Sequence, residues 1–323
     1  MNLLLVKMSS LGDVIHTLPL ANSLRQGLNC QIFWAVNSEL APLIELCPDV
    51  AGAIAFPRSN VVGCLVPFLK ELRRTSYELA IDVQGLLKSA LVVYASGAKR
   101  RIGLRSAREG APLFYTELVG TKEIRTHAVE RYLEVARHLG LPDGLPVFNL
   151  KAGPGKRTRN KKLVVIHPFA RWETKRWPKE RFAQVADSML AAGLAEVVFV
   201  GGPQDRGDMG VIDSLMKNKP RDLVGKISLA ELANILAEAD LFLANDSGPM
   251  HLAVALGCPV VALFGPTSPA RTGPYGAGHQ VLGYPARCRP CFLRRCPLDH
   301  SCLLKVSPEE VFFAIASILE DRG

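Results

Sequence analysis

The sequence lacks any uninterrupted apolar run of about 18 residues, the length that a membrane-spanning helix needs. Its longest candidate, His251–Phe264, is broken by Gly257 and Pro259. The opening segment MNLLLVKMSS has no basic stretch before its short apolar run, which excludes a secretory signal peptide. These absences predict a cytoplasmic protein whose first apolar run is a β-strand.

Features of disordered and fibrous chains are also missing. Apolar residues make up 48% of the sequence and charged residues 21%, a mix typical of globular proteins. The 27 glycines and the 7% aromatic content do not suggest a collagen-like or low-complexity chain. A length of 323 residues exceeds one ordinary core and predicts two domains.

Acidic residues are absent from two stretches of a chain whose net charge is +9. The stretch 151–162 is most simply a solvated linker. The stretch 87–108 is equally free of acids and holds six cations: Lys88, Lys99, Arg100, Arg101, Arg105 and Arg108. Such a bias favours anionic partners, and nucleic acid, phosphorylated small molecules and anionic lipid all stay open on charge alone.

Short β-type runs alternate with amphipathic stretches in both halves of the chain. The segment 141–162 interrupts this alternation with three prolines, three glycines and a basic run. We therefore predict an α/β protein with two parallel sheets, facing each other across a central cleft. The predicted parts are an acceptor-binding domain at 1–150, a basic linker at 151–162, a nucleotide-sugar-binding domain at 163–306, and a carboxy-terminal helix at 307–323 expected to pack back on the first domain.

The first strand is followed by Lys7-Met8-Ser9-Ser10-Leu11-Gly12-Asp13. Gly12 is expected to permit a tight turn, and Ser10 to cap the following helix. Asp13 falls in the first turn of that helix, where a carboxylate favours the helix dipole without any catalytic role. A carboxylate at a strand end can also act as a general base, and the spacing supports both interpretations equally.

Two further strand ends carry polar groups. Asn245-Asp246-Ser247-Gly248-Pro249-Met250-His251 joins an apolar strand to a helix, and its backbone N–H groups predict an anion site to which His251 adds a donor. The segment 167–178 adds Thr174 and Lys175, a hydroxyl and a point charge suited to a phosphate. Each segment could instead be a capped helix or a basic loop, but three such loops together favour a phosphate-bearing ligand.

These segments resemble glycosyltransferase family 9, the bacterial ADP-heptose:lipopolysaccharide heptosyltransferases. LLLVKMSSLGDVIHTLP, DVQGLLKSA, AREG, PLFYT and HAVERY look like the heptosyltransferase I pattern. KRWPKERF, VGGPQD, KISLAELANILAEAD and NDSGPMHLAVALGCPVVALFGPT are similar to the nucleotide-binding half across the family. The resemblance spans nearly the whole chain.

The resemblance implies a GT-B architecture, two Rossmann-like domains, and inverting transfer of L-glycero-D-manno-heptose from ADP-heptose onto the Kdo region of the lipopolysaccharide inner core. It implies that Asp13 is the base and that Lys175 acts on the departing pyrophosphate. Asp246 is expected to hold the loop by hydrogen bonds, and Asp205 to contact ribose. Ile227 stands where the family packs adenine, although methionine is familiar there. The implied nucleotide-sugar-binding set is Ser10, Gly12, Thr174, Asp205, Ile227, Asp246, Ser247, Gly248 and His251.

The resemblance also implies an acceptor of the Kdo-lipid A type, which carries phosphates and sugar carboxylates. We expect the basic stretch to attract it, and therefore peripheral contact with the cytoplasmic face of the inner membrane. No Asp-x-Asp triplet occurs in the sequence, which agrees with a reaction that needs no catalytic metal. The predicted acceptor-binding residues are Lys88, Arg100, Arg101, Arg105 and Arg108.

Four of the eight cysteines cluster near the carboxy terminus with the spacing C-x2-C-x4-C-x5-C. In a reducing compartment this spacing suggests a structural zinc or iron site before it suggests disulfides, although free thiols in a proline-rich loop are the alternative. The candidate ligands are Cys288, Cys291, Cys296 and Cys302.

The cysteine cluster keeps two other functions open. The heptosyltransferase I type typically lacks such a cluster, so an enzyme that adds the second heptose is the alternative within the family. A nucleic-acid-binding protein with a four-cysteine metal knuckle is the alternative from another class, although the sequence shows no aromatic-interleaved RNA-binding signature.

Overall fold

The computed structural model of the chain describes residues 1–57, 61–153 and 161–320. It divides into two compact units, residues 1–151 and 152–323. Most of the predicted basic linker, including Lys156, Arg157 and Arg159, lies outside the described residues. Among the helices that are described, none is both long enough and apolar enough to cross a membrane.

Unit 1 alternates strands and helices from its first residues. A 3-10 turn, Ser38–Leu40, precedes α2, and another, Ala111–Phe114, lies between β5 and β6. The elements are β1 (Asn2–Val6), α1 (Leu11–Leu28), β2 (Gln31–Asn37), α2 (Ala41–Ile44), β3 (Val50–Phe56), α3 (Val61–Leu72), β4 (Leu79–Asp82), α4 (Leu87–Ala95), β5 (Arg100–Leu104), β6 (Glu117–Val119) and α5 (Ala128–His138).

The six strands of unit 1 form one sheet in the order β3-β2-β1-β4-β5-β6, and all neighbours are parallel. The central strand β1 is almost wholly apolar and buried, as expected for a parallel strand covered by helices on both faces. Since the order reverses between β1 and β4, the loops after these two strands diverge at the carboxyl edge of the sheet. That switch point is where open α/β sheets bind ligands.

Unit 2 repeats this pattern. Two 3-10 turns, Glu173–Lys175 and Pro203–Asp205, follow the first two of its strands. The elements are β7 (Lys162–His167), α6 (Lys179–Ala191), β8 (Ala195–Phe199), α7 (Arg206–Leu215), β9 (Arg221–Asp222), α8 (Leu229–Glu238), β10 (Leu241–Asn245), α9 (Gly248–Ala255), β11 (Val260–Leu263), α10 (Pro269–Thr272), β12 (Gln280–Leu282), α11 (Ser301–Leu304) and α12 (Pro308–Glu320).

The sheet of unit 2 has the order β12-β11-β10-β7-β8-β9 and is again parallel throughout. Its switch point lies between β10 and β7. Helix α12 packs against α6 and the sheet of its own unit, and Val311 and Ile315 join the core there. Its predicted packing against the first domain stays a prediction. The predicted α/β class with two parallel sheets is confirmed.

Several elements depart from the sequence-based expectation. Helix α1 begins at Leu11 and continues through Pro19, a residue that usually ends a helix, to Leu28. Strand β5 was not predicted because it opens with Arg100 and Arg101 and so does not form an apolar run. Short strands such as β6 and β9 carry too few residues to show a period.

Candidate active site

The carboxyl edge of the unit 1 sheet carries the candidate base. Ser10 is the N-cap residue of α1, and the Asp13 carboxylate folds back on it. Asp13 Oδ2 accepts hydrogen bonds from the Ser10 backbone N–H at 3.1 Å and from the Ser10 hydroxyl at 2.8 Å. One carboxylate oxygen is therefore occupied by the helix start, which leaves Oδ1 for other partners.

Lys7 and Tyr132 approach that second oxygen. Lys7 Nζ lies 3.9 Å from Asp13 Oδ1, and the Tyr132 hydroxyl donates to the same oxygen at 3.4 Å. Lys7 is buried, and its ammonium also donates to the Val83 carbonyl at 3.2 Å. Burial lowers the pKa of Lys7, but Tyr132 and Asp13 together outweigh burial and raise it. The site thus holds a permanent positive charge beside a carboxylate whose side chain is 38% exposed.

A buried carboxylate orders the neighbouring loop after β4. Asp82 Oδ1 accepts from the backbone N–H groups of Gln84 and Gly85 at 2.7 and 3.1 Å, and the Tyr115 hydroxyl donates to Oδ2 at 2.7 Å. Burial raises the pKa of Asp82. The loop so formed places Gln84 Oε1 to accept from the Ser9 N–H at 3.2 Å, so Asp82 supports the segment that leads to Asp13.

Gly12 does not form the tight turn that the sequence suggested. It is the second residue of α1 and is buried, and its φ is not positive. Since the Ser10–Asp13 hydrogen bonds start the helix at Leu11, no turn residue is needed at this position.

In unit 2, the loops after β7 and β10 are tied together by one buried amide. Asn245 Oδ1 accepts from the Trp177 N–H at 3.0 Å, and Asn245 Nδ2 donates to the Pro168 carbonyl at 2.8 Å. The loops that follow the two strands at the switch point are therefore joined into one polar edge of the sheet. The predicted loops 167–178 and 245–251 meet there.

Lys175 and Asp246 form an ion pair at this edge. Lys175 Nζ lies 2.6 Å from Asp246 Oδ2, and the Thr267 hydroxyl donates to the same oxygen at 2.6 Å. Asp246 is buried, whereas 18% of the Lys175 side chain is exposed. An ammonium group has three donors, so Lys175 can hold Asp246 and still donate to a ligand.

The amino terminus of α9 adds backbone donors to the same edge. Ser247 is the N-cap residue, and Gly248 begins the helix with Pro249 behind it. His251 lies buried in the following turn. The Ser247 hydroxyl lies 3.4 Å from Nδ1 of His167, whose pKa burial lowers to about 4. His167 is therefore neutral near pH 7.

Thr174 is directed differently from the prediction. Its hydroxyl donates to the Leu293 carbonyl at 2.7 Å, so the hydroxyl hydrogen is directed at the protein rather than at a ligand. His300 Nε2 lies 2.6 Å from the Thr174 carbonyl oxygen, which makes the imidazole the donor. The cysteine-rich loop 288–302 thus contacts the residue that precedes Lys175.

The remaining two predicted nucleotide contacts lie on neighbouring loops of unit 2. Asp205 Oδ2 accepts from the Gly202 N–H at 2.8 Å, and burial raises the pKa of Asp205. Ile227 is half-buried and directly precedes Ser228, the N-cap residue of α8. Asp205 follows β8 and Ile227 follows β9, so both lie on the carboxyl side of the sheet.

The five predicted acceptor-binding cations do not share one place. Lys88, Arg105 and Arg108 lie on loops or helix starts at the carboxyl end of the unit 1 strands. Arg100 and Arg101 begin β5 and lie at its amino end. Arg100 Nε pairs with Glu117 at 2.6 Å, and Arg101 donates to the carbonyls of Phe114 and Ala98 at 2.7 and 2.8 Å. Since both residues lie at the end of β5 opposite to the edge that carries Asp13, the structure does not bring these two to the candidate base.

The four clustered cysteines are close but do not form a ligand set. The pKa of the Cys302 thiol is raised, mainly by burial and further by the other three clustered cysteines. The nearby charge of Arg289 opposes this shift without cancelling it. Cys288 is exposed, and Cys291 and Cys296 are half-buried. Within the described ranges, no three His, Cys, Asp or Glu side chains are arranged to hold a metal ion.

Sequence reasoning missed the residues that hold the candidate groups in place. Tyr132 lies in the HAVERY segment and Thr267 ends NDSGPMHLAVALGCPVVALFGPT, so both were inside recognised segments without an assigned role. Asn245 opens the recognised loop 245–251 and His300 lies within the cysteine cluster, but neither had an assigned role. Their partners are backbone atoms 68 to 126 residues away, which a linear pattern does not reveal.

Comparison with known proteins identifies the same family that the sequence segments resemble, over most of the chain. Residues 66–301 match the family model described as glycosyltransferase family 9 (heptosyltransferase). A lipopolysaccharide heptosyltransferase 1 of Pseudomonas aeruginosa is 34% identical, over 92% of this chain and 87% of the relative.

Solved structures share the two-unit architecture. A family 9 glycosyl transferase of Veillonella parvula superposes with a TM-score of 0.87 at 25% identity and covers 99% of this chain and 97% of its own. The ADP-heptose lipopolysaccharide heptosyltransferase II of E. coli has a TM-score of 0.82 at 25% identity, with coverage of 100% and 99%. The fold is therefore of the GT-B type, and the chain belongs to glycosyltransferase family 9.

Proposed function

We propose that this protein is an inverting glycosyltransferase that moves L-glycero-D-manno-heptose from ADP-heptose onto the Kdo region of the lipopolysaccharide inner core. The observation that carries the proposal is the partly exposed Lys175 ammonium, which buried Asp246 holds beside the amino terminus of α9, so that charged and backbone donors suited to a pyrophosphate lie together. The 34% identity to a heptosyltransferase 1 supports this acceptor.

Asp13 is the proposed base. Oδ2 is held by Ser10, so the carboxylate cannot rotate freely, and Oδ1 is the atom that takes the proton of the acceptor hydroxyl. The positive charge of Lys7 lies 3.9 Å from Oδ1 and favours the carboxylate form, which is a modest base. Much of the rate must therefore come from positioning of the hydroxyl against the sugar.

Lys175 is the proposed group that stabilises the leaving pyrophosphate. The acceptor oxygen forms a bond to the anomeric carbon while the bond from that carbon to the phosphate oxygen breaks. The electron pair leaves with ADP, and the acceptor proton passes to Asp13. Negative charge grows on the leaving phosphate, so a fixed ammonium and the N–H groups of Ser247 and Gly248 act more strongly in the transition state than before it.

Asp205 and Ile227 are proposed to contact ribose and adenine, and His251 to add a donor to the phosphate. Lys88, Arg105 and Arg108 are proposed to attract the phosphates and carboxylates of the acceptor. Such an acceptor is carried by a lipid, so we also propose that the enzyme works peripherally at the cytoplasmic face of the inner membrane.

Addition of the second heptose is the alternative that the comparisons keep within the family. The E. coli heptosyltransferase II superposes over the whole chain at a TM-score of 0.82. The nucleic-acid alternative rested on a four-cysteine metal knuckle, and no such ligand set forms among the residues that the structure describes.

A structural zinc or iron at Cys288, Cys291, Cys296 and Cys302 stays a separate prediction, and the residues as placed do not form a site for it. Metal analysis of the purified chain beside Cys291→Ser tests it. About one metal ion per chain, lost in the variant, would establish the site. Less than a tenth of that amount would remove it.

The function is tested by incubating the protein with ADP-heptose and Kdo-lipid A, and by determining the product mass. We expect one added heptose. Transfer only to an acceptor that already carries heptose would assign the second step instead. No transfer to either acceptor would overturn the proposal.

A further inference from the structure

Helix α4 of unit 1 presents an exposed apolar stripe that the proposed chemistry does not use. Leu87, Leu91 and Tyr94 occupy positions i, i+4 and i+7 and are all exposed. The 3-10 turn Ala111–Phe114 packs beside α4 and adds Leu113, which is 88% exposed. We call these four side chains the α4 face.

The α4 face is held in shape by aromatic and cationic contacts. The rings of Tyr94 and Phe114 lie 5.7 Å apart, edge to face, and the Arg101 guanidinium lies 5.8 Å from the Tyr94 ring centre. Beneath it, Val92 and Val93 pack in the core with Phe68 of α3. The exposed apolar atoms therefore belong to a fixed surface rather than to a loose segment.

Cations stand at both ends of this surface. Lys88 and Arg108 lie at the end nearest the carboxyl edge of the sheet, and Lys99 and Arg101 lie at the other. The stretch 87–108 contains no acidic residue. Glu109, the acid that follows it, accepts a hydrogen bond from the Leu87 N–H at 3.3 Å.

We propose that the α4 face docks on an anionic phospholipid bilayer. Its apolar side chains are of the size that enters the boundary between headgroups and acyl chains, and the flanking cations match the negative surface of such a membrane. The four cations outnumber the one acid at this rim, Glu109, so the rim carries a net positive charge, which an anionic bilayer complements over its whole area. Leu87 lies at the sheet edge that carries Asp13, so docking would bring a lipid-borne acceptor toward the base; this last step rests on the proposed function.

The test uses three matched variants of the full chain. Leu113→Glu and Leu91→Glu place a negative charge in the α4 face, whereas Leu145→Glu makes the same change at a residue that is 92% exposed elsewhere in unit 1. Binding is measured by co-sedimentation with vesicles of phosphatidylglycerol and phosphatidylethanolamine, and with vesicles of phosphatidylcholine alone. Melting temperatures confirm that each variant folds.

We expect the wild type and Leu145→Glu to bind the anionic vesicles, and each α4-face variant to bind them about tenfold more weakly. Binding to phosphatidylcholine should be weak for all. Equal binding by all four proteins, or no binding by the wild type, overturns the proposal. So does loss of a dimer in Leu113→Glu without any change in vesicle binding, because the face would then join two copies of the chain.

Transfer to an acceptor stripped of its acyl chains separates this inference from the proposed function. Leu113→Glu should match the wild type with that acceptor. If the wild type transfers neither to this acceptor nor to Kdo-lipid A, the proposed function fails, while the vesicle result still decides the docking surface. If Leu113→Glu alone loses transfer, the α4 face serves the acceptor directly and the docking proposal is wrong.

Discussion

Each unit holds an ion pair at its candidate edge, and the two pairs differ in which member is exposed. In unit 1, Asp13 keeps 38% of its side chain exposed, and its cationic neighbour Lys7 is the buried partner. In unit 2 the order is reversed, since Asp246 is buried and Lys175 is the more exposed partner. The exposed group is thus an anion in one unit and a cation in the other.

This contrast matches the two halves of a sugar transfer. A hydroxyl that must lose a proton needs an accessible carboxylate, and a departing pyrophosphate needs an accessible cation. In unit 1 the exposed carboxylate is held by two hydrogen bonds from Ser10, and in unit 2 the exposed ammonium is held by its direct pair with buried Asp246. The same fold therefore presents opposite charges at equivalent strand ends.

Removing the exposed anion should have the largest effect. Asp13→Asn keeps the shape of the side chain but cannot accept the acceptor proton, so we expect the transfer rate to fall by about 10²- to 10⁴-fold. Initial rates at saturating substrates measure this. Turnover within threefold of the wild type would remove Asp13 from the role of base.

Removing the exposed cation should cause the second largest loss of transfer rate. Lys175→Met leaves Asp246 buried without its positive partner and removes a donor to the leaving phosphate, so kcat should fall by about 10²- to 10³-fold and KM for ADP-heptose should rise. Lys179→Met, at the nearby start of α6, is the control. A normal kcat in Lys175→Met would show that the lysine only closes the loop.

Removing the buried cation of unit 1 should act through Asp13. Lys7→Met should reduce kcat by about tenfold and move the acidic limb of the pH–rate profile to higher pH, because the carboxylate loses its neighbouring positive charge. The exposed Lys217→Met is the control. A lower kcat with an unshifted profile would mean that Lys7 acts only in packing.

A smaller effect should come from the cysteine-rich loop. His300→Ala removes the hydrogen bond to the Thr174 carbonyl, so KM for ADP-heptose should rise about fivefold with kcat changed less. His300→Gln supplies an N–H of similar reach and should restore KM. The exposed Leu298→Ala should leave both constants unchanged. Equal defects in His300→Ala and His300→Gln would contradict a positioning role.

The smallest effect concerns stability against pH. Burial lowers the pKa of His167 from 6.5 to about 4, so between these values the unfolded chain binds the proton more readily than the folded chain. Its contribution is complete above pH 6.5 and is lost as pH falls toward 4. His167→Gln should remove up to about 1.4 kcal/mol per pH unit from the slope of the unfolding free energy in that window. Urea titrations at pH 7, 6 and 5 measure it, and unchanged slopes would show that His167 titrates normally.

Much of this architecture could be predicted because buried parallel strands are short, nearly continuous apolar runs. That pattern and the family segments predicted the strands around β1 and β10. They also predicted that Asp13, Lys175 and Asp246 follow strand ends. Strand β5 could not be predicted because its first two residues are charged. The directions of the Thr174 and Arg101 side chains could not be predicted because their partners are backbone carbonyls, which a sequence pattern does not reveal. These are the carbonyls of Leu293 and Phe114.

The opposite roles of the two edges are tested most directly by ADP affinity. Calorimetric titration of ADP into Asp13→Asn and Lys175→Met, beside the wild type, separates nucleotide binding from proton transfer. The account predicts wild-type affinity for Asp13→Asn and at least about tenfold weaker binding for Lys175→Met. Weakened binding in Asp13→Asn with normal binding in Lys175→Met would contradict it.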